Sequence, residues 1–123
     1  MAQRSRPPVL IAEDNWGLAE ALQRILAAVG HETVTAGDGL DALSWLRAGG
    51  QPSLIVLDLK MPNMDGEAFE RAVKADSRWR DIPIVVFSAY ASRRASMAQA
   101  AAVVAKSDPD ALVAAVASLT RQQ

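Results

Sequence analysis

The sequence predicts an α/β fold in which a parallel sheet of five strands is covered by helices on both faces. Short apolar segments alternate with longer amphipathic segments along the 123 residues. Helix-capping residues precede the amphipathic segments, and glycines end two of them. Because no linker, repeat or low-complexity segment interrupts the alternation, we expect one domain in which crossing helices join parallel strands.

Five apolar segments are predicted to be the strands, at residues 9–12, 32–36, 54–57, 84–87 and 103–104. The third has four apolar residues in a row, which is typical of a strand buried on both faces. The second is more polar, so we expect it nearer an edge of the sheet. The fifth is brief, and its two valines interrupt a stretch of high helix propensity.

Helices are predicted where apolar residues recur at intervals of three and four. The N-caps are Asn15, Asp38, Asp65 and Asp108, and the terminating glycines are Gly30, Gly49 and Gly50. The inner faces contain Leu18, Leu22, Ile25, Leu26 and Val29 in the first helix, Leu40, Leu43 and Leu46 in the second, Phe69, Ala72 and Val73 in the third, and Leu112, Val116 and Leu119 in the last. A fourth helix, between the last two strands, is predicted at residues 92–100.

Composition limits the functions that this chain can have. A net charge of −1 argues against direct binding of nucleic acid, which needs a strongly basic surface. The absence of cysteine excludes disulfides, a thiolate nucleophile and thiolate metal ligands. No apolar run approaches the roughly 18 residues of a membrane span, and no secretory signal is present at the start. We therefore expect a cytoplasmic protein without a membrane partner.

Polar residues follow four of the predicted strands. Glu13 and Asp14 follow the first, Asp58 the third, Ser88 the fourth and Lys106 the fifth. The carboxyl ends of parallel strands share one edge of the sheet, which is where ligands bind in such folds. Three carboxylates there would repel each other, by about 4 kcal/mol per pair at 4 Å and an effective dielectric constant of 20. One lysine would not offset this repulsion, so we predict a hard divalent cation, Mg²⁺.

These motifs resemble those of the receiver domains of bacterial response regulators in two-component systems. They are the acidic pair at residues 13–14, the segment DLKMPNMDG at residues 58–66, Ser88 with Ala89, and Lys106. The resemblance extends over about residues 8–119. It implies a flavodoxin-like, doubly wound fold with strand order 2-1-3-4-5, a receiver domain at residues 8–120, and a flexible tail at residues 1–7.

The resemblance also implies a role for each residue of the predicted site. Asp58 would accept a phosphoryl group from a histidine kinase or phosphotransfer protein, and the domain would then switch its binding to an unidentified protein target. The Mg²⁺ ligands would be Asp14, Asp58 and the backbone carbonyl of Lys60, with Glu13 assisting through water. The phosphate oxygens would bind Lys106, the Ser88 hydroxyl and the Ala89 amide. Such a protein is not an enzyme beyond its own phosphorylation and dephosphorylation.

Three departures from the family pattern concern the end of the chain. Ser107 stands where the family usually has a proline joined by a cis peptide bond. Val103 stands where many receivers have an aromatic switch residue. The segment from Ser88 to Lys106 is about four residues shorter than usual, close to one helical turn, so we expect the fourth helix to be short.

Two other functions fit parts of the sequence less well. Residues 37–42 fit the dinucleotide-binding pattern G-x-G-x-x-G/A, but Asp38 would place a carboxylate against the pyrophosphate, and the motif follows the second strand. An aspartyl-phosphate hydrolase would have the motif D-x-D, whereas in this sequence the residue two after Asp58 is Lys60. The native Met1 and the polar ending favour a single-domain response regulator over a receiver cut from a larger regulator.

Other conspicuous side chains are predicted to have structural roles. The only histidine, His31, follows a terminating glycine, and we expect it at the surface. The tryptophans Trp16, Trp45 and Trp79 are expected to pack along the flanks of helices.

Overall fold

A computed structural model of the chain describes residues 6–89 and 100–121. Its strands are β1 (Val9–Ala12), β2 (Thr33–Ala36), β3 (Leu54–Leu57), β4 (Ile84–Ser88) and β5 (Ala102–Ala105). They form one sheet, all parallel, in the order β2-β1-β3-β4-β5. The predicted order and the edge position of the second strand are confirmed, and so is the brief fifth strand.

Each helix of the described residues begins at the N-cap that the sequence predicts. The helices are α1 (Trp16–Ala28), α2 (Gly39–Arg47), α3 (Gly66–Lys74) and α4 (Pro109–Thr120). The caps Asn15, Asp38, Asp65 and Asp108 each accept a hydrogen bond from the backbone N–H three residues later. The fourth helix predicted from the sequence, and its expected shortening, concern residues 92–99, which lie outside the described residues.

Two cores separate the helices onto opposite faces of the sheet, as a doubly wound fold requires. On one face, Leu57 and Val86 pack with α2 and α3 around the fully buried Phe69. On the other face, Val56 and Phe87 pack with α1 and α4. Alternate residues of the central strands therefore enter different cores, which explains why these strands are apolar throughout. Within the described residues, no helix is long and apolar enough to cross a membrane.

The end of α1 buries His31, so the prediction of a surface histidine is wrong. Gly30 has a positive φ of 93°, and its N–H donates to Ala27 O at 3.0 Å. The His31 N–H donates to Leu26 O at 3.0 Å. These two bonds define a Schellman motif, in which the residue after the glycine turns back against the last helical turn. His31 is consequently only 8% exposed.

The exposed large apolar side chains include three that were expected to be packed. Trp16 is 83% exposed because it is the first residue of α1 and lies outside the face that contains Leu22 and Leu26. Val29 is the C-cap of α1, and Leu40 lies beside the buried stripe of α2; both are exposed. The other two tryptophans do pack. Trp79 is buried, and Trp45 packs against the core and covers Gly50.

The backbone after β5 follows an ordinary trans path. Within the described residues no peptide bond is cis, and this includes the bond between Lys106 and Ser107. The Asp108 N–H donates to Ala105 O at 2.9 Å, which closes the turn before α4. The strand-end lysine is thereby held in place without the proline that the family usually has.

Candidate functional site

The carboxyl edge of the sheet brings together Glu13, Asp14, Asp58 and Lys106. Backbone hydrogen bonds extend the sheet beyond its strands at this edge. The Asp58 N–H donates to Ala12 O at 3.0 Å, and the Lys106 N–H donates to Ser88 O at 3.1 Å. The side chains that follow β1, β3 and β5 therefore start from positions that the sheet itself fixes.

Lys106 lies between two buried carboxylates. Its Nζ is 3.2 Å from Glu13 Oε1 and 3.3 Å from Asp58 Oδ2. The side chains of Glu13 and Asp58 are 3% and 6% exposed, and that of Lys106 is 26% exposed. Glu13 Oε2 also accepts a hydrogen bond from the Asn15 N–H at 3.1 Å, which fixes its orientation. The ammonium group is a shared counterion for both acids.

The lysine does not fully compensate for the burial of these acids. Burial raises the pKa of Asp58 above its ordinary value, while Lys106 and the Lys60 backbone N–H act in the opposite direction. Burial likewise raises the pKa of Glu13, to which the charge of Asp58 adds. Burial alone would lower the pKa of Lys106, but the two carboxylates outweigh it and raise that pKa. The site is thus short of positive charge.

Three carboxylates are close enough to bind one metal ion. One oxygen from each of Glu13, Asp14 and Asp58 lies within 4.8 Å of the others, and Asp14 is exposed to solvent. With Lys106, these groups have a formal charge of −2, which a divalent cation would balance. Oxygen donors with an open side toward water are the environment that Mg²⁺ prefers.

The loop after Asp58 is closed by a tight contact at the start of α3. The Gly66 N–H donates to Leu59 O at 2.9 Å. A Cβ added at Gly66 would overlap the carbonyl oxygen of Asp58 and would lie 2.8 Å from the Cα of Leu59. Glycine is therefore required here for the close approach of the backbone.

The same loop is held from the side by the turn before α2. Asn63 has a positive φ of 67°, and its Nδ2 donates to the carboxylate of Asp38. The Gly39 N–H donates to Met64 O at 3.1 Å. Asn63 is a residue that sequence reasoning missed, although Asn is the residue most tolerant of positive φ after glycine.

These contacts also remove the structural basis for dinucleotide binding. Asp38 caps α2 by accepting a hydrogen bond from the Asp41 N–H at 2.7 Å, so the helix N-terminus already has an anion. A Cβ at Gly39 would be 2.8 Å from Met64 Cγ, which means that Met64 occupies the side on which a pyrophosphate would approach. The G-x-G segment is a turn and an N-cap.

The remaining predicted site residues lie around this cluster. Ser88 ends β4 and is buried, and Ala89 after it is exposed. Lys60 is exposed two residues after Asp58, and its backbone N–H favours the ionised form of that acid. One further acid, Glu70 of α3, was not anticipated: it is buried, and its Oε2 has no hydrogen-bond partner among the described residues.

Comparison with protein families gives a match over residues 9–117 to the response regulator receiver domain. The DNA-binding response regulator MtrA of Mycobacterium tuberculosis is 38% identical over 84 residues, which cover 68% of this chain and 35% of MtrA. The probable transcriptional regulator ycf27 of Galdieria sulphuraria is 36% identical over 86 residues, which cover 70% of this chain and 32% of ycf27. The chain therefore spans about a third of the length of these relatives.

Solved structures give the same result across nearly the whole chain. The response regulator TrrA from Thermotoga maritima, in complex with Mg(2+)-BeF, has a TM-score of 0.84 at 28% identity, covering 93% of this chain and 99% of TrrA. A sensor protein from Polaromonas sp. JS666 has a TM-score of 0.86 at 28% identity, covering 95% of this chain and 98% of that chain.

Proposed function

Since this chain belongs to the response regulator receiver domain family, we propose that Asp58 accepts a phosphoryl group from a histidine kinase or a phosphotransfer protein. The observation that carries this proposal is the position of Lys106, 3.3 Å from Asp58 Oδ2 and 3.2 Å from Glu13 Oε1. A buried acid beside a cation and further carboxylates is the arrangement that phosphoryl transfer requires.

In the proposed reaction an Asp58 carboxylate oxygen attacks phosphorus, and the P–N bond of the donor phosphohistidine breaks. The imidazole leaves with the electron pair of that bond, and Asp58 becomes an acyl phosphate. Lys106 moves from the carboxylate to a phosphoryl oxygen, while the Ser88 hydroxyl and the Ala89 amide donate to other oxygens. These fixed donors stabilise the charge that spreads over the equatorial oxygens in the transition state.

We propose Mg²⁺ as the cofactor, held by the carboxylates of Asp14 and Asp58 and the Lys60 carbonyl, with Glu13 assisting through water. When bound, this ion neutralises phosphoryl oxygens and keeps Asp58 ionised. Two observations support this cofactor. One oxygen from each of the three carboxylates lies within 4.8 Å of the others, and burial by itself raises the pKa of Asp58. Without a further cation, burial favours the protonated form of Asp58.

The output that we propose is a change in binding to a protein target. The relatives named as DNA-binding or transcriptional regulators are about three times as long as the matched region, so their DNA contacts are not transferred to this domain. Its net charge of −1 agrees with a protein partner and no direct nucleic-acid contact. We also propose that it catalyses no reaction beyond its own phosphorylation and dephosphorylation.

Acetyl phosphate tests the assignment. With Mg²⁺ the protein should gain one phosphoryl group by intact mass, stable in acid and labile in base, and EDTA should prevent this gain. The Asp58→Asn variant should remain unmodified, whereas Asp41→Asn, which removes an exposed carboxylate of α2, should be labelled like the parent protein. Full labelling of Asp58→Asn, or of the parent protein in EDTA, would refute the proposal.

A further inference from the structure

A cavity lies at the edge of the sheet opposite to Asp58, where the strands begin. Its volume is about 520 Å³, and it is lined by Arg6, Pro7, His31, Ser53, Thr120 and Arg121. Arg6 precedes β1, His31 precedes β2, and Ser53 precedes β3, with the Ser53 N–H donating to Pro8 O at 2.9 Å. Arg121 follows α4. We call this space the basal cavity.

The basal cavity has two cationic groups and no acidic side chain in its lining. Arg6 and Arg121 are both among its walls, and neither forms an ion pair with any other part of the described chain. The C-termini of α1 and α4 lie at this edge, and their partial negative charge favours the two arginines. Two guanidinium groups at one opening still present the paired, planar donors that recognise phosphate oxygens.

His31 is the second and independent feature of the basal cavity. The residue is buried, with 8% of its surface exposed, and it lines the cavity wall. Within the part of the chain that the structure describes, the His31 imidazole makes no hydrogen bond. An imidazole on the wall of a cavity can donate a hydrogen bond to a bound ligand or accept one from it.

Arg6 is the charged group of the basal cavity that acts on His31. Burial lowers the pKa of His31, and the positive charge of Arg6 lowers it further. On its other side, His31 faces a separate cavity lined by Glu20, Arg24 and Glu32, where Arg24 pairs with Glu20 at 3.6 Å. An anion between the arginines would cancel the effect of Arg6 and allow the imidazole to become a third cationic donor.

We propose that the basal cavity binds a small phosphate-bearing anion, either inorganic phosphate or a phosphate monoester. Arg6 and Arg121 hold its oxygens, and His31 donates to it from the buried wall. This site is separate from the acidic edge at Asp58 and does not depend on the function proposed for Asp58.

The only histidine of the chain is the reporter for this site. The imidazole signals of His31 are followed by NMR through a pH titration of tag-free protein in EDTA, with sodium phosphate or with sodium chloride at matched ionic strength. Phosphate should move these signals saturably and raise the pKa of His31, because a bound anion stabilises the imidazolium. By linkage, a given ionisation state of phosphate should then bind more tightly to the protein with a protonated His31 than to the protein with a neutral His31. The same titration with glycerol phosphate shows whether a phosphate monoester binds more tightly than inorganic phosphate.

The double variant Arg6→Gln with Arg121→Gln should lose the saturable response. Arg24→Gln, which removes an arginine from the neighbouring cavity, and Asp58→Asn, which removes the acid of the opposite edge, should both keep it. If chloride shifted the His31 signals as much as phosphate does, charge screening would explain the shift and the proposal would be overturned. So would an undiminished response in the double variant, since the arginines would then not hold the anion.

Discussion

Gly66 starts α3 directly against the backbone carbonyl of Asp58, so that any side chain at this position would overlap the carbonyl oxygen. The neighbouring hydrogen bond from the Gly66 N–H to Leu59 O, at 2.9 Å, closes the loop at the same point. The first turn of α3 and the proposed phosphoacceptor therefore form one rigid unit. A glycine in this segment is a steric requirement of the site.

Gly66→Ala should therefore damage both stability and phosphorylation. The backbone must move to admit the Cβ, and overpacking of this kind costs about 1–3 kcal/mol. Urea unfolding measures the stability, and acetyl phosphate labelling measures the site. Gly17→Ala is the control: its nearest contact would be an ordinary 3.5 Å to Asn15 Oδ1 within α1, where alanine should stabilise by about 0.5–1 kcal/mol. Equal behaviour of the two variants would contradict the steric explanation.

The burial of Asp58 predicts that its removal stabilises the metal-free protein. The folded-state pKa values of Asp58 and Glu13 are raised above the ordinary 3.8 and 4.5. The folded state thus holds more protons than the unfolded state above these values, and stability falls as the pH rises through that window. Asp58→Asn should raise the melting temperature in EDTA at neutral pH by about 4 °C, equivalent to about 1 kcal/mol.

The advantage of Asp58→Asn should disappear at pH values below the ordinary carboxyl range, where both states of the parent protein are protonated. It should also shrink when Mg²⁺ is added to the parent protein. Asp14→Asn, in which the carboxylate removed is exposed, should change the melting temperature little. A lower melting temperature for Asp58→Asn at neutral pH in EDTA would mean that its pair with Lys106 outweighs the cost of burial.

Lys106 and Mg²⁺ should compete for the same carboxylates. Because Lys106 lies 3.2 Å from Glu13 and 3.3 Å from Asp58, its charge repels a cation that binds there. Lys106→Met should bind Mg²⁺ about tenfold more tightly at mildly alkaline pH, which corresponds to about 1.4 kcal/mol, yet accept phosphate more slowly. Lys106→Arg keeps the charge and should bind Mg²⁺ like the parent protein. Weaker calorimetric binding by Lys106→Met would show that the lysine organises the carboxylates.

Asn63 contributes to stability through its backbone conformation and through its side chain, and two substitutions can separate these contributions. Its φ of 67° is costly for most residues, and its side chain bonds to Asp38. Asn63→Gly loses only the hydrogen bond, whereas Asn63→Ala also acquires strain of about 1–2 kcal/mol. Asn63→Ala should thus be the less stable of the two by about 1 kcal/mol in urea unfolding. Equal stabilities would show that the loop relaxes to a different conformation.

The sequence predicted those features that depend on local pattern and chain chirality. Strand positions and N-caps follow from apolar periodicity and from polar residues such as Asn15 and Asp65, and the parallel direction of the strands follows from the alternation of strands and helices. The strand order was implied by the family resemblance. The convergence of Asp58 and Lys106 follows in turn, since strands of one direction end at one edge.

Features that depend on contacts between distant segments were not predicted. His31 looked like a surface residue because its neighbours in sequence are polar or glycine, and its burial arises from the segments before β1 and β3. The glycine that ends α1 was a usable signal in the sequence, because the residue after a glycine in a Schellman motif commonly packs against the last helical turn. The burial of Glu70 and the contact between Asn63 and Asp38 had no comparable signal in the sequence.

The response to phosphorylation should be local, because β5 offers no aromatic ring to transmit it. Val103 packs on the α2–α3 side of the sheet, where Val86 is its partner on the neighbouring strand β4. A β-branched side chain has little χ1 freedom. The neighbouring Val104 packs on the other side, with Leu112 and Val116 of α4. A change at Val103 would have to cross the sheet to reach α4.

Beryllofluoride with Mg²⁺, a stand-in for the phosphoryl group, tests this expectation by NMR. Amide shifts should concentrate at residues 58–66 and 88–97, with little change at residues 109–120, because a population shift requires a contact that differs between the two states. Asp58→Asn should show none of these shifts. A large, cooperative response throughout α4 would mean that the sheet transmits the signal without an aromatic residue, and that Val103 does not limit the switch.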